Sequence, residues 1–351
     1  PNAYCIRQLT GEENIDYSSA GNYGGIFDLQ KRNWSEPLME ELGIPRILFP
    51  EQLYSSDEVV AEVTKEGSEL SGLKIGTPIC AGGIDAPVSA LAGGALQDGD
   101  LSSMLGTSMC NGFISHTPRL SPQMINYPYV VKGRDYLYSF TGVATAGFCV
   151  RWFRDQFGAQ EMSLQRETAI GAYEQLDDQA ANIPTGSDDL LFMPHMMVGE
   201  RAPYWSESIR GGFLGLTVYH TRLHLFRAIL EGVAYAMRYS IEAATQTGFK
   251  INNATLVDGG AKSPLWRQII ADITGVNMSY IPNAGRAPIG ETIIAGLGTW
   301  EISDPKVIDE WLGEKIPMVP DEETSLKYEQ YYKLYKMSLE QVSPIYRYFP
   351  S

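Results

Sequence analysis

The sequence is short of the residues that mark several function classes. Its 351 residues include 4 cysteines and 4 histidines. Cys5, Cys80, Cys110 and Cys149 are far from one another in sequence, and the last three sit in apolar or glycine-rich runs. They read as reduced thiols in or near the core of a cytoplasmic protein, not as bridges or metal ligands. His220 and His224 have the i, i+4 spacing of a helical metal pair, but the segment is HTRLH and lacks the glutamate of HExxH. No metal site is expected there, and His224 reads as a core or interlobe hydrogen-bonding residue. Basic residues are also few. The 27 Lys plus Arg against 42 Asp plus Glu leave a net charge of -15. That argues against tracking a nucleic-acid backbone and against adhesion to an anionic membrane. A small anionic ligand is not excluded, because backbone N–H groups hold phosphate inside an acidic protein. No apolar run reaches roughly 18 residues, so no membrane span is expected. No basic-then-apolar segment opens the chain as a signal peptide would. The first residue is Pro1 and not Met, a hint that the chain is processed, cut or partly present. GxGxxG, GxxxxGK[ST] and GxSxG are all missing, which disfavours a dinucleotide fold, a Walker loop and a hydrolase elbow.

What is present is ordinary globular composition, 44% hydrophobic and 20% charged. The length suggests about two domains, burying roughly three quarters of the unfolded surface. Residues 1–75 read as mixed, turn-rich structure. YCIRQL is a short helix or strand, and Trp34–Leu42 is a helix with Ser35 as cap, Pro37 in its first turn and Gly43 at its end. Val59, Val60 and Val63 suggest an edge strand, and GTPICAGG a buried strand ending in glycines. Asp85 is the cap candidate of the helix that follows, with Pro87 in its first turn. LSSMLGTSMCNGFIS reads as two short strands joined at Gly106-Thr107-Ser108, and a domain boundary falls near residue 98.

Further along, Ala146, Cys149, Trp152, Phe153 and Phe157 share one helical face closed by Gly158. Residues 160–190 read as a helical excursion. Leu223, Phe226, Leu230, Val233, Met237 and Ile241 recur at helical spacing within a helix from about Thr221 to Thr245. NATLVDGG is a second buried strand ending in a Gly pair, followed by a helix capped at Ser263-Pro264 and running through Ile273. Arg286–Leu297 and Glu322–Ser338 are expected to be helical. Strand, glycine turn and helix start thus occur twice, at 77–90 and 254–268, with a hydroxyl-bearing hairpin at 104–110 between them. Glycine allows close approach of backbone to a ligand, and helix starts present unpaired N–H groups. Two such lobes would face a nucleotide and a small substrate across a cleft.

Each constellation also has a plainer reading. Asp85, after Gly82-Gly83-Ile84, is either a general base at a strand end or a plain helix cap that the helix start keeps ionised. Gly106, Thr107 and Ser108 either hold phosphate oxygens or simply turn the chain. Gly259, Gly260, Ala261 and Lys262 either give a flat surface to a purine or ribose with a lysine near phosphate, or form a strand-to-helix turn. Asp258 before them is equally a buried structural acceptor. His195 lies in PHMMVGERAPYW, either a cleft rim or a packed surface loop.

Taken in order, these segments resemble the FGGY family of carbohydrate kinases. AGGIDA at 81–86 resembles the family's G-G-x-D catalytic segment, and LGTS at 105–108 its phosphate segment. Gly211-x-Phe213-x-Gly215-Leu216, followed by His224-Leu-Phe-Arg-Ala228-Ile-Leu-Glu231, looks like the family's C-terminal signature. DGGAKSPLWRQIIADITG at 258–275 looks like its adenosine segment, and LTGEENIDYSSAGNYGGIFDLQKRNWS resembles an upstream family stretch. The resemblance implies an α/β, actin-like ATPase (ribonuclease H-like) two-lobed fold. Residues 1–98 would be the remainder of the N-terminal lobe. Residues 99–351 would be the nucleotide-binding C-terminal lobe, with a closing helix that returns to the first lobe as one option. The family's opening Asp-x-Gly-Thr turn has no counterpart here, so the first lobe is expected to be incomplete, its N-terminal phosphate-binding segment absent or supplied by a longer protein.

The resemblance also implies the chemistry. Asp85 would take the proton of a sugar hydroxyl that attacks the γ-phosphoryl of ATP. Gly106, Thr107 and Ser108 would steady the phosphates, and Gly259, Gly260, Ala261 and Lys262 would meet the adenosine. Mg²⁺ would bridge phosphate oxygens, with no protein metal ligands assigned. The partner is a small carbohydrate, with a homodimer as an option and neither nucleic acid nor membrane. Ala86 follows the base where xylulose-kinase-like patterns have Asn or Gln. The IDA wording is ribulokinase-like, except that Pro87 replaces the usual His. Xylulose, ribulose, another ketopentose, a polyol or an aldonate all stay open. The alternative is a catalytically impaired nucleotide-binding or regulatory protein on the same fold.

Overall fold

The computed structural model describes residues 2–282, 284 and 287–349. The first part of the chain builds α1 (Asn2–Thr10), α2 (Tyr17–Gly21), the pair β1 (Phe27–Asp28) and β2 (Asn33–Trp34), α3 (Glu36–Glu41), β3 (Val59–Glu62), α4 (Lys65–Ser71) and β4 (Pro78–Cys80). A small core of Ile15, Ala20, Ile26, Phe27, Trp34, Met39 and Leu53 holds part of it together. Asp16 caps α2 by accepting the Ser19 N–H at 2.9 Å. The expected helix after Trp34 forms, although the Ser35 side chain makes no cap hydrogen bond. GTPICAGG departs from expectation. Only Pro78–Cys80 is strand, partly exposed, and it pairs antiparallel with β3 and not with the central sheet.

Next come α5 (Asp85–Ala92), β5 (Asp100–Leu105), β6 (Met109–Ser115), β7 (Ile125–Pro128), β8 (Leu137–Val143), α6 (Gly147–Phe157), α7 (Ala159–Thr168), α8 (Ala172–Ala180), β9 (Leu191–Met193) and β10 (Gly212–Leu214). The chain ends through α9 (Arg222–Thr245), β11 (Asn253–Val257), α10 (Pro264–Thr274), β12 (Met278–Tyr280), α11 (Ala287–Gly298), α12 (Val307–Leu312), β13 (Ile316–Met318) and α13 (Glu322–Val342). Arg286, the expected first residue of α11, lies outside the described residues. Among the described residues the largest sheet has seven strands in the order β13-β12-β11-β5-β6-β8-β7. Its β12-β11-β5 portion is parallel, and β5-β6-β8-β7 is antiparallel.

Alternation along the strands builds two cores. Leu101, Leu105, Met109, Phe113 and Leu256 face a cluster with Phe226, Leu230, Val233, Met237 and Trp266. Ile114 and Val257 face the other side, where Val88, Leu91, Ile293 and Ile294 pack. The Trp266 indole N–H donates to Leu230 O at 2.9 Å and fixes α10 on α9. Among the described residues, the closing helix α13 packs on α9 and α10. Its buried Tyr328 donates to Glu231 on α9 at 2.8 Å and accepts from Arg227 at 3.0 Å. Four buried tyrosines on one face of α13 give it that preference. Cys149 is buried, but Cys5 is exposed, which corrects the expectation of core thiols at that position.

Helix α5 is set by one close approach. A β-carbon at Gly290 of α11 would lie 2.2 Å from Val88 O and 2.7 Å from Val88 Cγ1. Helix propensity alone makes Gly290→Ala stabilising by about 1 kcal/mol, whereas the clash forces α5 and α11 apart and costs about 1–3 kcal/mol. The expected result is a lower urea midpoint for Gly290→Ala. A raised midpoint would show that the two helices separate freely.

Candidate active site

The parallel pairing of β5 with β11 brings the two glycine turns together. The register runs from Asn253 opposite Asp100 to Val257 opposite Met104, so both strands end at the same edge. Clefts in α/β sheets form beyond such strand ends. Gly260 belongs at this edge because a β-carbon there would stand 2.7 Å from Leu105 Cγ and 2.9 Å from Leu105 O. The chain leaves β11 through Asp258, whose φ of 79° and ψ of -177° are strained for a residue other than glycine. Its carboxylate oxygen lies 3.5 Å from where Gly106 would carry a β-carbon. Ser263 then caps α10, accepting the Trp266 N–H at 3.0 Å, with Pro264 at the first helical position.

A cavity of about 1150 Å³ opens at this edge. Gly106, Thr107, Ser108, Gly259, Gly260 and Lys262 line it, and Asp85 and Ser89 of α5 face it from another wall. Of the residues that the resemblance assigned to the site, Ala261 alone does not line it. That residue is buried, and its carbonyl accepts from Arg267 at 3.0 Å.

Asp85 is not the helix cap. Ile84 occupies the N-cap position, and Asp85 is the first helical residue. The carboxylate accepts the N–H of its neighbour Ala86 at 2.8 Å and is otherwise exposed toward the cavity. It is held from behind instead. Ile84 N–H donates to the Ser18 hydroxyl at 3.1 Å, and that hydroxyl donates to buried Asp16.

The turn at 106–108 has its carbonyls occupied. Gly106 O accepts from Gly147 N–H, and Thr107 O from the N–H groups of Ala146 and Phe148, while Gly106 N–H donates to Ser108 O. Among the described residues, the N–H groups and hydroxyls of Thr107 and Ser108 have no such partners, and both residues are exposed at the cavity. These groups are donors available to an oxyanion placed there.

The remaining wall was not identified from sequence. Phe148 and Arg151 of α6 line it, as do Tyr173, Glu174, Asp177 and Asp178 at α8. Arg222 and Gln179 anchor this wall, meeting buried Glu161 of α7 at 2.6 and 3.1 Å. Isolated from these contacts, the acidic run on α8 looks like any solvated helix face. The histidine pair is structural. His224 Nδ1 accepts the Thr221 N–H at 3.1 Å to cap α9, and its Nε2 donates to Asp188 at 3.0 Å. His195 is fully buried, whereas Met197, Val198 and Trp205 of the same segment are exposed and do not line the cavity, so the segment is a surface loop with His195 as its anchor.

Burial pushes the Asp177 carboxyl up to about 6, with Asp178 and Glu174 adding to the rise and a hydrogen bond to Ser263 opposing it. Between its ordinary value of 3.8 and about 6, the folded protein keeps a proton that the unfolded chain has lost. This contribution to stability therefore falls as pH rises through that window. Asp177→Asn removes the dependence. Measured against wild type, the variant should gain about 1–2 kcal/mol between pH 4 and pH 7 in urea unfolding, after discounting for solvent. An offset equal at both pH values would mean that Asp177 titrates as an ordinary carboxylate.

Comparison with known proteins places this geometry in a family. Residues 101–299 match the C-terminal domain of the FGGY family of carbohydrate kinases, and residues 1–92 match its N-terminal domain. With the first domain represented, the expectation of an absent N-terminal segment is not borne out. Xylulose kinase of Bacillus subtilis (strain 168) is 27% identical over 338 residues, covering 96% of this chain and 65% of that protein. Gluconokinase of the same organism is 29% identical over 335 residues, covering 93% and 63%. The chain therefore spans somewhat less than two thirds of each relative's length. The crystal structure of xylulose kinase from Rhodospirillum rubrum superposes with a TM-score of 0.83 at 28% identity, covering 98% of this chain and 67% of that one. The fold is the α/β actin-like ATPase fold of these enzymes, and the chain belongs to the FGGY family of carbohydrate kinases.

Proposed function

We propose that this chain carries the nucleotide-binding and catalytic residues of an ATP-dependent phosphotransferase acting on a hydroxyl of a small sugar. The observation that carries the reading is that the donors of Thr107 and Ser108 and the carboxylate of Asp85 line one cavity. Phosphoryl transfer asks mainly for positioning and for donors where charge develops. Asp85 accepts the proton of the acceptor hydroxyl. That oxygen bonds to the γ-phosphorus as its bond to the bridging oxygen breaks, and ADP leaves. Thr107 and Ser108 donate to the phosphate oxygens through this step. Gly259 and Gly260 give the adenosine a bare backbone surface, and Lys262 stands beside it.

Mg²⁺ needs few protein ligands, since it keeps most of its waters and binds phosphates directly. No group of three metal-ligating side chains occurs among the described residues, but Asp258 and Asp85 both line the cavity. Asp258, beside the 106–108 turn, would meet the hydrated ion, which would neutralise phosphate charge, and Asp85 stays the proton acceptor.

The two domains of this reading are residues 1–98 and 99–351. The relatives named xylulose kinase and gluconokinase support ketopentoses and aldonates as the first acceptors to test. Four thiols outside any disulfide suit a reducing compartment, so the reading includes a cytoplasmic location. In the described residues, no helix is long and apolar enough to cross a membrane.

Asp85→Asn is the direct test. ATP-dependent phosphorylation of the best acceptor among xylulose, ribulose and gluconate should fall about 10²–10⁴-fold, while ADP affinity stays within about threefold. Retained turnover in Asp85→Asn would remove Asp85 as the base. ADP binding without turnover in the wild type would favour the non-catalytic alternative.

A further inference from the structure

The turn at 106–108 is held from behind by hydrogen bonds to its carbonyls. Ala146 and Phe148 donate to Thr107 O at 2.9 and 3.1 Å, and Gly147 donates to Gly106 O at 2.9 Å. These residues open α6, so the helix start is joined to the turn.

The two residues before them are gripped in turn. Ala144 N–H points at the Glu200 carboxylate, 3.2 Å from Oε1 and 3.0 Å from Oε2. The Thr145 hydroxyl donates to Pro194 O and accepts the Met196 N–H at 3.0 Å. Glu200 and His195 have side-chain exposures of 2% and 0%, and their Oε1 and Nδ1 are 3.1 Å apart. The His195 ring meets Tyr204 edge-on at 4.6 Å, and the Tyr204 hydroxyl reaches Tyr335 of α13 at 3.3 Å.

This arrangement is costly to maintain. A buried carboxylate is unfavourable unless its oxygens are well supplied with donors, and His195 Nε2 is buried with no partner among the described residues. An apolar pair would fill the same space at less expense. What the carboxylate does that an apolar side chain cannot is hold the Ala144 N–H, two residues ahead of the bonds to the turn.

We infer that Glu200 is a positioning residue: through Ala144 and the start of α6 it fixes the turn at Gly106-Thr107-Ser108. Its part in turnover rests on the reading of that turn as the phosphate contact. Misplacing a reacting group by about 1 Å can lower the rate on the order of 10²-fold, so a clamp outside the cavity matters to catalysis.

The test reads the link twice, first without nucleotide. In the unliganded protein, Glu200→Ala should raise amide hydrogen exchange at residues 106 and 146–148 by about tenfold or more, leaving β11 unchanged. Thr145→Val, which keeps the side-chain shape and loses the hydroxyl, should act on the same amides. Glu200→Gln, which keeps an acceptor for Ala144, should restore most of the protection.

In the second reading, Glu200→Ala should raise the KM for ATP by about tenfold, with a smaller effect on the KM for the sugar. A merely structural role would leave the two KM values in their wild-type ratio. Wild-type exchange in folded Glu200→Ala overturns the inference, as does wild-type exchange in Thr145→Val if Glu200→Ala does not fold. Altered exchange in a protein whose wild type neither binds nor turns over ATP upholds the clamp and rejects the functional reading.

Discussion

The site depends on the parallel pairing of β5 with β11. That register ends both strands at one edge, and the missing side chain of Gly260 lets the second turn close against Leu105. Every group assigned to nucleotide binding lies within a few residues of this contact. A one-residue slip of β11 would exchange its two faces, moving Leu256 away from Trp266 and Phe226. The buried pattern of the sheet therefore fixes the geometry of the cavity, and the chemistry inherits its precision from the core.

Charge has to be handled locally in a protein of net charge -15. Glu174, Asp177 and Asp178 form part of the cavity wall, with Lys262 and Arg151 the cations lining it among the described residues. A polyanion entering such a space is not drawn by the overall field. It is favoured where backbone N–H groups and hydroxyls converge, as at Thr107 and Ser108. Such donors act at contact distance and add no formal charge. The crowding shows in Asp177, whose carboxyl is pushed up to about 6 by burial and by the neighbouring Asp178 and Glu174.

The sequence was most legible where local signals agreed. Phe226, Leu230, Val233 and Met237 at helical spacing marked α9, and Ser263-Pro264 with Gly275 bounded α10 to within a residue. The glycine turns and Asp85 were legible by their order along the chain. What could not be read depended on distant partners. Asp85 carries the residue type of a cap, yet Ile84 holds that position, its N–H bound by Ser18, 66 residues away. The α8 wall gave no signal, since its role comes from packing against α9 and from Arg222 reaching Glu161. The placement of α13 was ambiguous because its tyrosines show that a face is buried, not which face receives it.

These failures share a cause. Hydrophobic period and capping residues report on a few neighbouring turns, whereas a site is assembled by contacts far apart in sequence. Asp85 is reached through Ser18 and Asp16, and the 106–108 turn through α6 and Glu200. In both cases the residue facing the cavity is held by a buried carboxylate that lies outside it. The two carboxylates differ in how they are supplied. Asp16 receives two side-chain donors and one backbone N–H, from Asn2, Ser18 and Ser19, within a compact helix start. Glu200 relies on one backbone N–H and one ring nitrogen across two separate segments. The poorer supply makes the support behind the turn the more yielding of the two, because losing either donor leaves the Glu200 charge largely unmatched.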